Sequence, residues 1–213
     1  IYWFQRYIDQ HNWWKLVLGL CFITLGGLCK IPAVFLFGLM VPLWMNRSLQ
    51  IQVKLSITIA VGIASSIIGW WYFVWVPQLV DTYHFALFFP KGIAEGLHEI
   101  APLWSDFAAQ VYFGALRSYV VLLPILVGII WLGIRKNRLA LAGIGVLTAI
   151  FFVFAIKTGT VFPTHNYYVL PFVPVMAVVA ACGLQRMDKR LALALLLLIA
   201  AEGIGNQISD FRV

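Results

Sequence analysis

The sequence predicts an all-α protein, a polytopic integral membrane helix bundle with about seven transmembrane spans. The prediction depends on composition, on the spacing of the apolar runs and on the distribution of charge. Hydrophobic residues make up 62% of the 213 residues and charged residues 11%, against about 45–50% and about 25% in ordinary soluble domains. A composition with so little charge cannot cover the surface of a soluble protein of this size, so a soluble domain is excluded.

Seven apolar runs follow one another, separated by polar breaks. We predict spans at about 14–29, 33–45, 55–76, 119–134, 139–156, 169–184 and 191–204. The first two are shorter than the roughly 20 residues that a bilayer requires, so one of them is open to a re-entrant interpretation. They are divided at Lys30-Ile31-Pro32, because proline disfavours helical backbone before it and lysine is costly in hydrocarbon.

Charge predicts the orientation of these spans. With residues 1–13 on the cytoplasmic side, the inner segments contain ten Lys and Arg residues and two acidic residues. The outer segments contain five Lys and Arg residues and six acidic residues. This asymmetry is the positive-inside pattern. It also explains the net charge of +7 by topology, so we predict no nucleic-acid partner.

The chain begins at Ile1, and the first residues, IYWFQRYIDQHNWW, contain no signal-peptide pattern. We interpret this start as a cut and expect the native protein to continue upstream with further spans. The sequence given, 1–213, is then one membrane domain. It carries an outer-face loop and an interfacial helix at about 77–117.

The segment at about 77–117 is the longest polar connection. Apolar residues recur at helical spacing between Ile93 and Ile100, which predicts a helix lying half in lipid and half in water. Polar residues of this segment are conceivable metal ligands: His84, Glu95, His98 and Glu99. No HExxH or comparable motif accompanies them, so we interpret them as solvated and predict no metal site.

The three cysteines lie inside apolar runs, at Cys21, Cys29 and Cys182. No CxxC pair and no histidine at ligand spacing accompanies them. We predict small buried hydrophobic side chains and no disulfide framework.

The connection between the fifth and sixth runs, AIKTGTVFPTHNYYVLPFVP, is short but rich in polar residues. We predict a functional segment here, although tyrosines at this depth are also common as interfacial residues. Pro171 and Pro174 are expected to loosen the start of the sixth helix.

Four cations lie on the predicted outer side against the general bias: Lys30, Lys91, Arg117 and Lys157. A site that binds phosphate at the outer leaflet requires such charges, from lysine as a point charge and from arginine as a fork. Lys30 has an alternative interpretation, in which its side chain extends to the lipid headgroups.

Two segments carry a family resemblance. GLCFITLGGLCKIPAVFLFGLMVPLW resembles the G-L-x-x-L-T-K-x-P-A span pair of the GT-C membrane glycosyltransferases, in the protein O-mannosyltransferase group (glycosyltransferase family 39), which also contains the lipid A aminoarabinose transferase. FPTHNYYVLPFVPVMAVVAACGL is similar to the K-x-x-x-Y-x-L-P-x-x-P-x-x-A-x-x-A segment of that family, and the basic turn QRMDKR follows it. WWYFVWVPQLVDTYHF lies where the family has an aromatic-rich outer connection.

The resemblance implies a transfer reaction. Members move a sugar from a polyprenyl-phosphate donor to an acceptor hydroxyl of a protein, lipid or glycan on the non-cytoplasmic side. Such a reaction requires a general base and cations for the departing phosphate. The implied pocket for the donor phosphate and sugar is lined first by Lys30, Lys157, His165 and Tyr167, then by Arg117 and Lys91, and lastly by His84. The compact loops between the spans predict the lipid bilayer of a bacterial inner membrane as the surroundings, with the active face periplasmic.

The chain departs from the family at the catalytic acid. That acid lies in the first outer loop, after the first span, and no span precedes such a loop here. The resemblance therefore implies a base upstream of Ile1 and an inactive fragment, and Asp81 is the less favoured alternative for a base within the chain. Alternatives are a transporter, and a non-catalytic assembly subunit. We rank transport lower because we find no internal repeat, and Glu202 is nearly the only ionisable residue within spans four to seven.

Overall fold

A computed structural model of the chain describes residues 1–84 and 91–210. All regular secondary structure in these ranges is helical, with no β-strand, so the all-α part of the predicted fold class is confirmed. The chain divides into two compact units, Ile1–Phe89 and Pro90–Val213. Each unit has its own set of packed helices.

The described part of the first unit forms α1 (Tyr2–Gln10), α2 (Trp13–Cys29), α3 (Met40–Met45), α4 (Ile51–Trp70) and α5 (Val76–Tyr83). A 3₁₀ segment leads into α3, and a π-helical turn joins α4 to α5. The predicted end of the third run at Val76 is therefore wrong, because the helix continues to Tyr83. Pro77 removes a backbone donor and crowds the carbonyl one turn earlier, and the wider π turn directly before it relieves that crowding.

Packing in the first unit follows one face of α4. Val53, Ile57 and Val61 are buried and recur at four-residue spacing, so they lie on one side of the helix. Near the other end of α4, the side chain of Ile68 lies against Gly27 of α2, where an added Cβ would clash. The two helices therefore touch along most of their length.

The second unit, over residues 91–210, forms α6 (Ile93–Ile100), α7 (Trp104–Ala109), α8 (Leu122–Arg135), α9 (Arg138–Thr158), α10 (Val161–Thr164), α11 (Val173–Leu184) and α12 (Lys189–Asp210). Short 3₁₀ or π segments lie on either side of α7 and between α10 and α11. The sixth run was predicted to be helical from residue 169, but α11 begins at Val173. Pro174 lies in its first turn, where a missing N–H costs nothing.

Helices α8 and α11 approach each other backbone to backbone. A Cβ on Gly128 would meet the carbonyl oxygen of Val179, and a Cβ on Gly183 would meet that of Pro124. Small residues at a crossing are the usual means by which apolar helices come this close. The contact fixes this pair as the most closely packed part of the second unit.

Helix α9 packs against two neighbours near its C-terminal end. Its Phe151 is fully buried and stacks on Phe172, just before α11, with ring centroids 4.4 Å apart. Gly96 of α6 lies against the carbonyl of Ile156. The C-terminal end of α9 is therefore held beside α6 and the start of α11.

Three helical stretches among the described residues are long and apolar enough to cross a membrane, judged by length and composition: Ile51–Tyr83, Arg138–Thr158 and Lys189–Ser209. Four shorter apolar helices coincide with the remaining predicted runs: Trp13–Cys29, Ala33–Met45, Leu122–Arg135 and Val173–Leu184. The count of about seven spans stays a prediction.

The cysteines are less enclosed than predicted. Cys21 and Cys29 are exposed on α2, and Cys182 of α11 is half-buried. The prediction of buried side chains is wrong for the first two, because apolar helices in this chain present many hydrophobic side chains outward rather than into a core.

Candidate functional site

Lys91 and Lys157, both predicted site residues, lie together at the C-terminal end of α9. The backbone N–H of Lys91 donates to the carbonyl of Lys157 at 2.8 Å, and the Lys157 ammonium donates to the carbonyl of Lys91 at 2.6 Å. The Lys91 ammonium forms a salt bridge with one carboxylate oxygen of Glu99. The other oxygen accepts from the backbone N–H of Thr160 at 3.1 Å. We refer to Lys91, Glu99, Lys157 and Thr160 as the lysine–glutamate cluster.

Two glycines make this cluster possible. Gly96 lets α6 lie directly on the carbonyl of Ile156, one residue before Lys157. Gly159 ends α9 with φ of 60°, in the left-handed region that favours glycine. A Cβ on Gly159 would meet the Glu99 carboxylate, so the absence of a side chain there admits the acid.

Helix α6 forms where the sequence predicted an interfacial helix, and its position at a membrane interface stays a prediction. Gly96 and Ile100 are its buried residues, whereas Ile93 and Leu97 are about half exposed. The interpretation of Glu99 as a solvated residue is wrong, because Glu99 is half-buried and ion-paired on the side that faces α9. The sequence pattern identified the helix but not its packed face, since α6 docks through a glycine.

The electrostatics of the cluster leave one positive charge. The hydrogen bond from Lys91 and then that from the Thr160 N–H hold the pKa of Glu99 below its usual value. Among the described residues no carboxylate pairs with Lys157. An ammonium has three donors, and the bond to the Lys91 carbonyl uses one of them. Lys157 also lies in the last turn of α9, where the helix dipole favours a cation.

His165 and two tyrosines form an aromatic group just after α10. The His165 ring lies 5.3 Å from that of Tyr167 and 5.6 Å from that of Tyr168, between ring centroids. Nδ1 of His165 lies 3.2 Å from the carbonyl oxygen of Val161. Nδ1 also lies 2.9 Å from the Thr164 hydroxyl oxygen, whose proton is donated to the same carbonyl at 2.9 Å. Both oxygens therefore accept from Nδ1 when it carries the proton, and that tautomer leaves Nε2 as an acceptor.

Tyr168 connects this aromatic group to α9. Its ring packs on Phe154 at 5.8 Å, and Phe154 precedes Lys157 by three residues, which places both side chains on one side of the helix. Burial, followed by a hydrogen bond with Tyr167, raises the pKa of the Tyr168 phenol to about 12. The predicted residues of the second polar segment therefore lie at the same end of α9 as the lysine–glutamate cluster.

Arg117 lies in a separate group. Its backbone is left-handed, with φ of 53°, and its guanidinium carbon lies 5.3 Å from the centre of the Phe113 ring. Asn206 of α12 donates from Nδ2 to the Arg117 carbonyl at 2.8 Å. The conformation of Arg117 is therefore held by α12.

Glu202 of α12 holds the residues that follow Arg117. Its carboxylate accepts from the backbone N–H groups of Tyr119 at 2.9 Å and of Val120 at 3.1 Å, and from the hydroxyl of Ser118. Ser118 is fully buried. We refer to these contacts as the Glu202 clamp. Glu202 lies four residues before Asn206, so both side chains project from one face of α12.

Lys30 and His84, the two remaining predicted residues, belong to the first unit. Lys30 is exposed and has extended backbone between α2 and the following 3₁₀ segment. His84 is exposed, and with φ of 54° it ends α5, where its N–H donates to the carbonyl of Val80 at 2.8 Å. Their assignment to a donor pocket stays a prediction.

No known family, curated protein or solved structure matches the chain. Within residues 1–84 and 91–210 no three His, Cys, Asp or Glu side chains come together as a metal site. The fold and the site define a class: a helical protein whose second unit carries a lysine–glutamate cluster and an aromatic group at one end of a long apolar helix.

Proposed function

We propose that this chain forms part of the membrane domain of a GT-C-type glycosyltransferase that uses a polyprenyl-phosphate-linked sugar. In this proposal the chain spans a bacterial inner membrane about seven times, and the C-terminal end of α9 faces the periplasm. The donor phosphate binds at Lys157 and Lys91, and the sugar binds beside His165 and Tyr167. The acceptor is a hydroxyl of a protein, lipid or glycan, and no general base is assigned within this chain.

The observation that carries the proposal is the charge state of the lysine–glutamate cluster. Two ammonium groups lie beside a single carboxylate: Lys91 is paired with Glu99, whereas Lys157 donates to the Lys91 carbonyl, so one positive charge remains. A phosphate monoanion or dianion near Lys157 replaces water on the two ammonium protons for which no described residue is an acceptor. The charge develops further on the phosphate as the sugar departs, which is where a fixed cation lowers the barrier.

The aromatic group supplies the second requirement, a surface for the sugar. Tyr167 is 41% exposed, and the neighbouring ring of Tyr168 supports it at a centroid distance of 4.6 Å. Aromatic rings offer apolar faces to sugar C–H groups, while Nε2 of His165 in the assigned tautomer accepts a hydrogen bond from a hydroxyl. Arg117 is retained as a second-rank phosphate ligand in the proposal.

The Glu202 clamp weighs against the transport alternative. An ion pathway through the last helix would use Glu202, the ionisable residue near the C-terminal end of its apolar stretch. Its carboxylate instead accepts three hydrogen bonds from the segment before α8. These bonds assign Glu202 a structural role.

The test is transfer by the product of the full gene, purified in lipid nanodiscs. Radiolabelled sugars linked to undecaprenyl phosphate are supplied, and label is followed into cell-envelope acceptors. Lys157→Met, which keeps the apolar stem but removes the charge, is expected to reduce transfer at least about 100-fold, as loss of one charge-stabilising group does in other enzymes. Lys157→Arg is expected to recover part of the activity.

The matched control is Lys189→Ala, an exposed lysine at the first residue of α12. It is expected to transfer label at the wild-type rate. Binding of undecaprenyl phosphate and of the uncharged alcohol undecaprenol is compared by native mass spectrometry in the same samples. Equal binding of the two lipids, together with no label transfer by the wild-type protein, would refute the proposal.

A further inference from the structure

A second cationic group lies at the opposite end of the second unit. The guanidinium carbon of Arg186, just after α11, lies 4.1 Å from the centre of the Trp131 ring, and that of Arg135, at the end of α8, lies 6.0 Å from it. Both distances are measured to the same ring centre, so the distance between the two guanidinium carbons cannot exceed their sum. We refer to Trp131, Arg135 and Arg186 as the arginine–tryptophan cluster.

The helix geometry explains why both arginines lie near the Trp131 ring. Gly128 of α8 lies against α11 at Gly183. Three residues beyond each glycine come Trp131 and Arg186, so the ring and the guanidinium project from matched positions of two helices that run in the same direction. The C-terminal ends of α8 and α11 are therefore adjacent, and both helix dipoles favour cations there.

Charge around this cluster is almost entirely positive. The segments 135–138 and 186–190 contain six cations and one acid, Asp188. The Asp188 carboxylate accepts from the backbone N–H of Arg190 at 2.9 Å at the start of α12. Among the described residues neither arginine of the cluster has a carboxylate partner. The protein thus balances little of this charge itself.

We propose that the arginine–tryptophan cluster binds the phosphodiester headgroup of an anionic phospholipid. A guanidinium that stacks on an indole contacts the ring with its own planar face, so the N–H groups at its edge remain directed outward. These N–H groups match the oxygens of a phosphodiester. Trp131 is an amphipathic side chain of the kind that lies at headgroup depth. Basic groups between membrane helices recognise lipid headgroups through the same chemistry.

This inference rests on the membrane placement proposed above but not on sugar transfer. The test measures binding of cardiolipin, phosphatidylglycerol and phosphatidylcholine to the full gene product by native mass spectrometry in detergent. The double variant Arg135→Ala/Arg186→Ala is compared with Lys189→Ala/Arg190→Ala. Each removes two exposed cations from the same end of the unit, so the general electrostatic contribution is matched.

We expect both anionic lipids to bind more tightly than phosphatidylcholine. We also expect the Arg135→Ala/Arg186→Ala variant to lose at least about tenfold more affinity than the control, because only the cluster supplies oriented donors. Arg186→Lys, which keeps the charge but not the fork, is expected to lie between the wild type and the variant. Equal losses of lipid affinity in the two double variants would overturn the proposal, because they would mean that the net positive charge of this end, rather than the oriented donors of the cluster, binds the lipid.

Three controls separate the possible failures. The thermal midpoint of each variant shows whether a loss of binding follows a loss of folding, and Arg186→Lys serves if the double variant is unfolded. Inorganic phosphate is added as a competitor, and displacement of the lipid at equal concentration would overturn the assignment to a lipid. Extraction of the protein from membranes by alkali would refute the membrane placement, whatever the outcome of the transfer assay.

Discussion

The two ends of the second unit use charge in different ways. At one end, Glu99 beside the C-terminal end of α9 and Glu202 beside the start of α8 accept hydrogen bonds from backbone N–H groups, and Glu99 also pairs with a lysine. At the other end, the guanidinium groups of Arg135 and Arg186 lie over an indole ring and have no carboxylate partner among the described residues. The acids at one end bind backbone N–H groups and so position the chain, whereas the guanidinium groups at the other end do not hold the backbone.

This difference indicates which residues hold the fold and which are available to a partner. A carboxylate that accepts from several donors fixes the segments that supply them, because each donor left without an acceptor is costly. An exposed guanidinium on a half-buried ring adds little to stability and keeps its donors for another molecule. Substitutions of the two acids at the first end should therefore affect folding, and those of the two arginines at the second end should affect binding.

The largest effect on stability is expected for Glu202→Ala. The substitution removes the acceptor for two backbone N–H groups and for the buried Ser118 hydroxyl, so the start of α8 loses its attachment to α12. Glu202→Gln keeps one acceptor oxygen and should destabilise less. The thermal midpoint of unfolding in detergent measures both. A midpoint for Glu202→Ala no lower than that of Arg186→Ala would remove the distinction between the two ends.

Gly159→Ala is expected to destabilise the protein by about 2–3 kcal/mol. The backbone of Gly159, with φ of 60° and ψ of −140°, lies in a sparsely populated region that costs a residue with a Cβ about 1–3 kcal/mol, and the added methyl also displaces the Glu99 carboxylate. Gly145→Ala in the same helix is the control, because a Cβ there meets nothing within 4 Å and alanine favours a helix. The free energy of unfolding in denaturant should fall for the first variant and stay level or rise for the second.

Arg186→Ala is expected to lower stability by only about 0.5–1 kcal/mol, the usual size of an exposed cation–π contact. The measurement is again the free energy of unfolding in denaturant, carried out without added anionic lipid. A loss of several kcal/mol would mean that the arginine–tryptophan cluster holds the fold, and the comparison between the two ends would then fail.

The smallest expected effect is a pH dependence at Glu99. Because its folded pKa is lower than the usual value of 4.5, its contribution to stability is fully present above pH 4.5. That contribution disappears as the pH falls through the lower folded value. The difference in thermal midpoint between the wild type and Glu99→Gln should therefore shrink between pH 7 and pH 3. A difference that stays constant would show that the carboxylate charge does not contribute.

The sequence predicted the long helices well and their packed faces poorly. Helix α9 was expected at 139–156 and runs over Arg138–Thr158. The agreement is close because a long, continuous apolar run bounded by charged residues strongly favours a single helix. The third run was expected to end at about residue 76, but a π turn that no residue pattern predicts lets the helix continue to Tyr83.

The site was predicted in part. Lys91 and Lys157 were both chosen as outer cations, and they lie in contact although 66 residues separate them. Their grouping depends on Gly96 and Gly159, whose close contacts are not visible in a one-dimensional pattern. Glu99 was considered only as a metal ligand or a solvated residue. The sequence identified the charged residues, whereas the glycines that bring them together required coordinates.

The glycine contact between α8 and α11 has a consequence for motion. Two helices that meet through main-chain atoms have no intervening side chain whose rotamer change would let them slide past each other, so they are expected to move as one rigid body. Helix α6 contacts α9 at Gly96, and hydrogen bonds of Lys91 with Lys157 and of Glu99 with Thr160 hold it there. Within the second unit, any opening that admits a large molecule to Lys157 should therefore occur by displacement of α6, while α8 and α11 provide the stationary frame.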